Sequence, residues 1–422
     1  MKVVSLCTFE LSGGAAIACN RLTKALSKHN IDTQLFVRDK LSDNNNVIAV
    51  NKGVFTKTIK LLRFIWERLV ILIYSKFSKK NLFAVSLANT GNDISKNKLI
   101  KEADVIHIHW INQGFLSLRD LKKLAALDKP IVWTMHDQWS YTGICHYTGG
   151  CDKFTETCSF CPMLTRNGKH DFSYKTFLKK KNLFESNAFT FVGCSRWIAA
   201  EAKKSKLCRD AEIVSIPNPI DITVYDKHDK NEARKFFNLP SDKKLILFGA
   251  CKVTDIRKGF DYMKASCDIL YSQHIFSKED LAIVVFGGKS NEIEALLPYH
   301  VHNAGYINDV HTMVNLYNAV DLFVIPSLED NLPNTIMEAM SCGTPCVGFN
   351  TGGIPEMIDH KENGYIANYT DSVDLAEGVN WVLNIADYEN LSANAREKVV
   401  ENYNEDVIAT QYIGLYNRLL NY

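Results

Sequence analysis

Two carboxylates eight residues apart raise the first chemical question in this sequence. The stretch SLEDNLPNTIMEAMSCGTPCVGFNTGGIPE, residues 327–356, is typical of a strand end, a helix, a second strand and a glycine turn. Asp330 falls in the loop before the predicted helix, and Glu338 falls inside it among apolar residues. A carboxylate in such a place is costly unless it has a polar partner. The pattern therefore predicts a ligand with hydroxyl groups.

Two cations occur at a comparable place earlier in the chain. Arg257 and Lys258, in GACKVTDIRKGFD, follow a predicted strand and precede a predicted helix. An arginine fork and a lysine point charge together suit a diphosphate. The alternative is two exposed cations at a helix start, where positive charge is slightly unfavourable. Farther on, Gly352 and Gly353 would let the backbone approach a ligand closely.

A glycine pair near the start of the chain is a weaker signal. Gly13 and Gly14, in TFELSGGAAIA, come just before a predicted helix. Backbone N–H groups at a helix start suit a phosphate, although a Gly-Gly pair there is often only a turn.

Four cysteines within 17 residues form the third chemical feature. Cys145, Cys151, Cys158 and Cys161 lie in CHYTGGCDKFTETCSFC, which ends in a C-x2-C pair. Four thiolates suit a closed tetrahedral Zn²⁺ site with a structural role. Free thiols, disulfides and an iron–sulfur cluster remain open as alternatives.

Length and composition limit the class of protein. A chain of 422 residues exceeds one ordinary core, so we expect two domains. The net charge of +2 gives no reason to expect a nucleic-acid partner. The N-terminal MKVVSLCTFELSGG has no signal-peptide pattern, so we expect a cytoplasmic protein with reduced cysteines.

The order of strand-like and helix-like runs predicts an α/β fold with two parallel sheets. Strand-like runs such as KVVSLC, PIVWTMHD, KLILFGA and DLFVIPS alternate with amphipathic helical runs. The rhythm breaks at IPNPID, which predicts an N-terminal domain at 1–216 and a C-terminal domain at 217–422. A last helix near 405–420 could pack back on the first domain. Ligands of open parallel sheets bind beyond the carboxyl ends of the strands, here in a cleft between the domains.

Residues 54–83 mix basic and large apolar side chains. Their longest uncharged run is too short for the ~20 residues of a membrane span. One interpretation is a helix that lies on an anionic membrane surface, at the inner face of the membrane. The other is a core-packed helix with a solvated basic face.

The C-terminal motifs resemble a known family. The order of RKGFD, SLEDNLPNTIMEAMSCGTPCV, GGIPEMI and NGYIA is similar to the family 4 glycosyltransferases, which are retaining enzymes of the GT-B fold. The resemblance covers nearly the whole chain. The runs HIHW and WTMHDQW resemble a bacterial surface-polysaccharide branch of that family.

The resemblance also implies roles for particular residues. The family's E-x7-E motif falls on Asp330 and Glu338, with Asp330, or its neighbour Glu329, near the donor sugar and Glu338 on the nucleotide ribose. Lys258 would bind the diphosphate, with Arg257 or Lys252 in place of the family's arginine. The remaining donor-side positions implied are Gly13, Gly14, Ile307, Asn331 and Leu332.

Histidines at strand ends complete the set. By resemblance His136 would approach the donor sugar or the reacting centre; the alternative is a structural histidine bonded to Asp137. His107 and His109 alternate along a strand and so share one face, as packing or acceptor-side residues.

The implied reaction moves a glycosyl group from a nucleoside diphosphate sugar to a hydroxyl of a lipid-linked or oligosaccharide acceptor. Family members need no catalytic metal. Two alternatives use the same donor: a sugar-nucleotide epimerase, and a non-catalytic sugar-nucleotide-binding subunit.

Overall fold

The computed structural model describes residues 1–50, 54–185 and 188–421, with the backbone alone for 54–56, 250 and 251. The chain divides into two compact units. The first unit is Met1–Pro217 with Ile408–Tyr422, and the second unit is Asn218–Val407. The division after Pro217 lies within the IPNPID segment, one residue from the expected boundary. Residues from Ile408 onward are grouped with the first unit rather than with the expected second domain.

The first unit is built on a seven-stranded sheet in which every pairing is parallel. The strand order is β3-β2-β1-β4-β5-β6-β7. The strands are β1 (Lys2–Phe9), β2 (Asp32–Asp39), β3 (Val47–Ala49), β4 (Val105–Ile108), β5 (Ile131–Met135), β6 (Phe189–Gly193) and β7 (Ile213–Ser215). Its helices are α1 (Gly14–Lys28), α2 (Val54–Tyr74), α3 (Lys98–Glu102), α4 (Leu118–Ala125), α5 (Phe172–Phe184) and α6 (Arg196–Lys204).

The second unit holds a six-stranded sheet, also parallel throughout, in the order β10-β9-β8-β11-β12-β13. The strands are β8 (Lys244–Lys252), β9 (Leu281–Gly288), β10 (His300–Gly305), β11 (Leu322–Ile325), β12 (Cys346–Phe349) and β13 (Gly364–Ala367). The helices that follow in the chain are α7 (Lys230–Phe236), α8 (Phe260–Ser272), α9 (Val310–Ala319), α10 (Asn334–Ser341), α11 (Ile354–Met357), α12 (Ser372–Asn380), α13 (Tyr388–Asn402) and α14 (Glu405–Leu419).

Both sheets are covered on both faces, which explains their continuous apolar strands. All five residues of β5 are buried, as are all four of β11. A strand buried on both sides has no polar alternation, because neither face meets water. The predicted α/β class with two parallel sheets is confirmed.

Helix α14 completes the core of the first unit. Its buried residues Ile408, Tyr412 and Tyr416 pack with Val3 and Leu22. The Tyr412 hydroxyl lies 2.9 Å from Thr134 Oγ1 in β5. The C-terminal segment is therefore held by both apolar packing and a buried hydrogen bond.

Each sheet contains a topological switch point, where the strand order reverses direction. In the first unit it lies between β1 and β4, and in the second unit between β8 and β11. Ligands of open α/β sheets bind outside the carboxyl ends of the strands at such a point. The loops after β8 and β11 carry Lys258 and Asp330, so the fold places these two predicted residues at one switch point.

Helix α2 buries two adjacent charged side chains, Glu67 and Arg68. Glu67 is fully buried and accepts hydrogen bonds from Leu87 N and Ala88 N at 2.7 and 2.9 Å. Arg68 is also buried and donates to the Val85 carbonyl at 3.1 Å. The interpretation of a solvated basic face is therefore wrong for Arg68, which satisfies a buried backbone group, whereas Lys57, Lys76, Lys79 and Lys80 of the same segment are exposed.

The outer face of α2 is apolar instead. Seven large side chains of this helix are exposed: Ile59, Leu61, Leu62, Ile65, Trp66, Leu69 and Ile73. Of the helices that the structure describes, none is both long and apolar enough to pass through a bilayer.

Candidate functional site

The loops at the switch point of the second unit touch each other closely. After β8, Asp255 caps a short 3₁₀ turn, Ile256–Lys258, through Arg257 N. Gly259 follows with a φ of 71°, and a Cβ there would lie 1.8 Å from the Pro326 carbonyl oxygen. Only glycine fits this position, for both its backbone angle and its space. The contact fixes the two cations against the loop that follows β11.

Asp330 is the carboxylate that meets those cations. Lys258 Nζ donates to Asp330 Oδ2 at 2.5 Å, and Arg257 Nη1 lies 3.4 Å from the same oxygen. Arg257 Nη1 also donates to the Glu329 backbone carbonyl at 2.7 Å. Of the two neighbouring acids, Asp330 thus contributes its carboxylate to the cations and Glu329 its main chain.

Burial and charge act in opposite directions on this ion pair. Burial raises the pKa of Asp330, but the positive charges of Lys258 and Arg257 outweigh it and leave the pKa lowered. Burial lowers the pKa of Lys258, and the Asp330 carboxylate opposes this only in part. The lysine ammonium is thus partly desolvated, which strengthens its attraction to any anion nearby.

The backbone around Asp330 is held by the predicted glycine turn. Gly353 N donates to the Asp330 carbonyl at 3.1 Å. A Cβ on Gly352 would lie 1.8 Å from that same oxygen, and the residue has a φ of 60°. Asn331 N donates to Asp330 Oδ1 at 3.2 Å, and Leu332 is buried. The two glycines therefore approach the loop of Asp330.

Glu338 lies on α10 and is buried, as its apolar neighbours predicted. Its Oε2 accepts a hydrogen bond from the Tyr317 hydroxyl on α9 at 2.9 Å. Burial raises the pKa of Tyr317 well above its usual range, and the nearby Glu338 charge adds to this. Sequence reasoning missed Tyr317, because a tyrosine on an amphipathic helix gives no sign of its partner.

The remaining donor-side residues occupy separate elements. Ile307 lies half-buried in the loop between β10 and α9, next to the exposed Tyr306. In the first unit, α1 begins at Gly14, and Gly13 caps it with a φ of 87°. Lys252, at the end of β8, is exposed. The structure thus brings together Arg257, Lys258 and Asp330, and places the other predicted residues on neighbouring or separate loops.

Three histidines of the first unit, His107, His109 and His136, form a row of neighbouring buried rings. His136 Nε2 lies 2.9 Å from His109 Nδ1, and His136 Nδ1 lies 3.3 Å from Cys194 Sγ. His107 lies between Thr134 Oγ1, at 2.7 Å, and the Tyr416 hydroxyl, also at 2.7 Å. Burial lowers the pKa of His136 to about 4 and that of His107 to about 3. The row is therefore neutral at ordinary pH.

The carboxylate of Asp137 is hydrogen-bonded to residues other than the adjacent His136. Its carboxylate accepts hydrogen bonds from Trp110 Nε1 at 2.7 Å and from Trp139 N at 2.9 Å. His146 Nδ1 lies 2.6 Å from the same carboxylate. His136 packs against His109 and Cys194, as expected for a structural histidine, while the Asp137 carboxylate is bonded to Trp110, Trp139 and His146. A role of His136 toward a sugar stays a prediction.

The four cysteines line one small cavity of the first unit, together with Gly143 and Met163. Burial raises the pKa of Cys158 to about 12 and of Cys161 to about 11, so they are thiols when no cation is near. Within the described ranges, no three His, Cys, Asp or Glu side chains are already grouped as ligands of a metal ion. Four predicted ligands thus share a cavity without a preformed coordination geometry.

Two family descriptions match this chain, one for each unit. "Glycosyltransferase Family 4" matches residues 12–224, about half of the chain. The chain belongs to glycosyltransferase family 4. "Glycosyl transferases group 1" matches residues 229–398, which include Arg257, Lys258, Asp330 and Glu338. The predicted family is confirmed.

Curated relatives of this family 4 member are bacterial and archaeal glycosyltransferases. N-acetyl-alpha-D-glucosaminyl L-malate synthase of Bacillus anthracis is 26% identical over 215 residues, 50% of this chain and 54% of the relative. The putative colanic acid biosynthesis glycosyl transferase WcaC of Escherichia coli is 23% identical over 326 residues, 75% of this chain and 76% of the relative. A Campylobacter jejuni N,N'-diacetylbacillosaminyl-diphospho-undecaprenol alpha-1,3-N-acetylgalactosaminyltransferase is 28% identical over 45% of this chain and 50% of the relative.

Solved structures agree on the fold. Sucrose-phosphate synthase from Thermosynechococcus elongatus has a TM-score of 0.68 at 17% identity and covers 100% of this chain and 99% of its own. Anabaena HepE in complex with UDP-glucose has a TM-score of 0.63 at 14% identity, with 99% and 100% covered. With two Rossmann-like parallel sheets, this family 4 chain has the predicted GT-B fold.

Proposed function

We propose that this family 4 glycosyltransferase moves a sugar from a nucleoside diphosphate sugar to an acceptor hydroxyl, with retention at the anomeric carbon. The observation that carries the proposal is the pairing of Lys258 and Arg257 with Asp330 at the switch point of the second unit. This is the place where an open α/β sheet binds a nucleotide. Retention rests on the family resemblance alone.

The ion pair leaves N–H donors of Lys258 that a phosphate can use. An ammonium group has three N–H donors, and the Asp330 carboxylate takes one of them. A donor diphosphate can therefore bind Lys258 while Asp330 still holds the side chain in place. Departure of the diphosphate builds negative charge on its oxygens, and a partly desolvated cation stabilises that charge where it develops.

Glu338 supports the nucleoside end of the same donor. Its Oε2 already accepts from Tyr317, which orients the carboxylate on α10. We propose that Glu338 accepts hydrogen bonds from the ribose hydroxyl groups and that Asp330 lies near the transferred sugar. Ile307 would contact the base from its loop after β10.

Donor binding can be tested by thermal denaturation with a panel of nucleoside diphosphates and nucleotide sugars. Binding to the folded state raises the melting temperature. We expect one nucleotide family to give a shift that Glu338→Gln abolishes and Glu362→Gln, an exposed control in the same unit, retains. Absence of any shift with the unaltered protein would overturn the proposal.

The reaction itself is tested with the donor identified in that way. We expect transfer to an acceptor, and NMR of the first-formed product should give the anomeric configuration of the donor. An epimerised nucleotide sugar formed without acceptor would favour the epimerase alternative. Donor binding without turnover on any acceptor would favour the non-catalytic subunit.

The acceptor proposed is a lipid-linked oligosaccharide in bacterial surface-polysaccharide assembly. The names of the Escherichia coli and Campylobacter jejuni relatives support this, since one refers to colanic acid and the other to a diphospho-undecaprenol. The Bacillus anthracis relative instead has L-malate in its name. Transfer to an undecaprenol-diphosphate saccharide, but not to L-malate, is the expected outcome.

We also propose that α2 rests on an anionic membrane surface. Its exposed face has apolar side chains that include Leu62 and Trp66, with the exposed cations Lys57 in its first turn and Lys76 and Lys79 just after its end. Contact with a membrane would remove the exposed apolar side chains from water, which is favourable. The buried pair Glu67 and Arg68 would not take part in it. An acceptor anchored in lipid would then be close to the first unit.

Sedimentation with vesicles tests this placement. We expect the protein to bind vesicles that contain anionic phospholipid more tightly than purely zwitterionic ones. The double variant Leu62→Glu/Trp66→Glu should reduce binding at least about 10-fold, because two apolar side chains that the lipid would bury are lost. Ile385→Glu, at an exposed apolar position of the second unit, is the matched control. Equal binding by both variants would contradict the proposal.

A further inference from the structure

The segment between β5 and α5 has little regular structure for its length. From Thr142 to Asp171 it contains one 3₁₀ turn, Lys153–Thr155, and otherwise loops. Loops of that length in a compact domain are uncommon unless something holds them. All four cysteines of the cavity lie in this segment, two in its first half and two in its second half. A cross-link among them would join the two halves of the loop.

The backbone around the cavity is fitted to a sulfur ligand. Gly143 N donates to Cys158 Sγ at 3.2 Å. A Cβ on Gly143 would lie 2.7 Å from the Ser173 carbonyl oxygen and 3.0 Å from Cys158 Cβ, so only glycine allows this approach. An N–H group that points at sulfur stabilises the thiolate form, as outer hydrogen bonds do at metal sites.

A buried lysine beside the cavity is the second, independent observation. Lys180 is completely buried, donates to the carbonyls of Trp139 and Thr142, and lies with Nζ 3.4 Å from the centre of the Trp139 ring. The groups around it that can carry negative charge are Cys145, Cys158, Cys208 and the carboxylate of Asp137. A buried ammonium among neutral groups is costly, and an anion next to it removes much of that cost.

From this arrangement we infer that Cys145, Cys151, Cys158 and Cys161 bind one Zn²⁺ through four thiolates. Two positive charges and four thiolates leave a net charge of minus two, which places an anionic group against Lys180. The four thiol protons leave as the metal binds. Because the thiols share a cavity but are not yet grouped as ligands, binding requires side-chain rotation within it.

Such a site would be structural for the first unit. Cys145 and Cys161 pack in one apolar cluster with Ile71 of α2. Cys145 is followed by His146, which bonds Asp137 beside His136. One ion would thus hold the loop that supports both the inner face of α2 and the end of β5.

The experiment is elemental analysis of the purified full-length chain, with a titration by an organic mercurial in the presence of a zinc indicator. We expect about one zinc per chain, released as four thiols react. Replacement by Co²⁺ should give the visible absorption of a tetrahedral thiolate complex. These readouts need no knowledge of the donor or acceptor, so they stand apart from the proposed function.

Variants sharpen the result. Cys158→Ser and Cys161→Ser should lower the zinc content at least several-fold, whereas Cys267→Ala in the second unit should not change it. Should the serine variants fail to fold, the mercurial titration of the unaltered chain decides alone. Four free thiols without zinc, two disulfides by mass spectrometry, or iron with sulfide would each overturn the inference.

Discussion

The two sheets of this glycosyltransferase end in polar loops of opposite character. In the first unit, the groups beyond β4 and β5 bond one another: His109 to His136, and Asp137 to Trp110 and His146. In the second unit, the loops beyond β8 and β11 place two cations on one carboxylate, Asp330. The first arrangement joins neutral histidine rings to one another and holds the Asp137 carboxylate with a tryptophan and a histidine. The second keeps donors of Lys258 available to an anion.

This difference has a physical cause. A neutral histidine row is stabilised by burial, since burial disfavours the protonated ring. Burial also works against the charge of Lys258, but the Asp330 carboxylate opposes that effect and takes one of three N–H donors, so the others can bind elsewhere. We therefore expect the second unit to bind the charged part of the donor and the first unit to supply rigid packing.

The largest expected effect comes from removal of the Lys258 ammonium. Lys258→Ala should lower the transfer rate by a factor of about 10²–10³, because one preorganised donor to the developing charge is lost. It should also weaken nucleoside diphosphate binding measured by calorimetry. The Asp330 carboxylate would keep Arg257 as a nearby cation, so the fold should persist.

Lys264→Ala is the matched control for this variant. Lys264 follows on α8 and forms a half-exposed ion pair with Asp268 at 2.6 Å. Exposed pairs of this kind contribute little to stability. If Lys258→Ala and Lys264→Ala had equal transfer rates, Lys258 would not contribute to the reaction, and the proposed contrast between the two units would fail.

The candidate site of the second unit could be predicted from the sequence better than that of the first unit, because its residues are close together in the chain. Asp330, Glu338, Gly352 and Gly353 lie within one short stretch, so their order in the chain already places them on one helix and the two loops on either side of the next strand. Parallel strands and the linker at IPNPID followed from apolar runs and prolines. The donor site could thus be predicted to the level of the loop.

Contacts between distant segments could not be predicted in the same way. His107 bonds Tyr416, 309 residues later in the chain, and Glu338 bonds Tyr317 on the preceding helix. Lys180 lies in the run KKK of α5, which is typical of a solvated face, and yet it is buried. Side-chain pairing of this kind depends on tertiary packing, which local patterns do not record.

Mild acid should distinguish the two units next. Unfolded histidines bind protons near their ordinary pKa of about 6.5, whereas His136 and His107 stay neutral in the fold down to about 4 and about 3. Between the unfolded and the folded pKa values, the unfolded state therefore binds more protons than the folded state. The free energy of unfolding then falls as the pH drops from about 6.5 to about 4. We expect a loss of several kcal/mol by about pH 4, since each of the two histidines contributes about 1.4 kcal/mol per pH unit below its ordinary pKa.

Hydrogen exchange by mass spectrometry can locate this loss. Peptides from β4 and β5 should lose protection as the pH falls, after correction for the intrinsic exchange rate. Peptides from β11 and β12 serve as the internal reference, because the lowered pKa of Asp330 keeps its carboxylate charged through that window. Equal loss in both sheets would show that the histidine row is not what makes the first unit acid-sensitive.

A smaller effect is expected at the buried phenol of the second unit. Tyr317→Phe removes the hydrogen bond to Glu338 Oε2 and leaves that carboxylate less well oriented. We expect nucleotide affinity to fall about 10-fold, which corresponds to about 1.4 kcal/mol. Tyr365→Phe, which removes a hydrogen bond to Asp374 elsewhere in the unit, should leave the affinity unchanged. Unaltered binding by Tyr317→Phe would show that Glu338 needs no support from α9.

The smallest effect should come from the first unit, where one hydrogen bond closes the histidine row. Tyr416→Phe removes the hydroxyl that lies 2.7 Å from His107 Nδ1 but keeps the ring packed in the core. A typical buried hydrogen bond contributes about 1 kcal/mol, so denaturant unfolding should show a loss of that size. Nucleotide affinity should not change, because the row contributes rigidity rather than a ligand contact. A weaker affinity at unchanged stability would assign this row to the binding site and reverse the contrast between the two units.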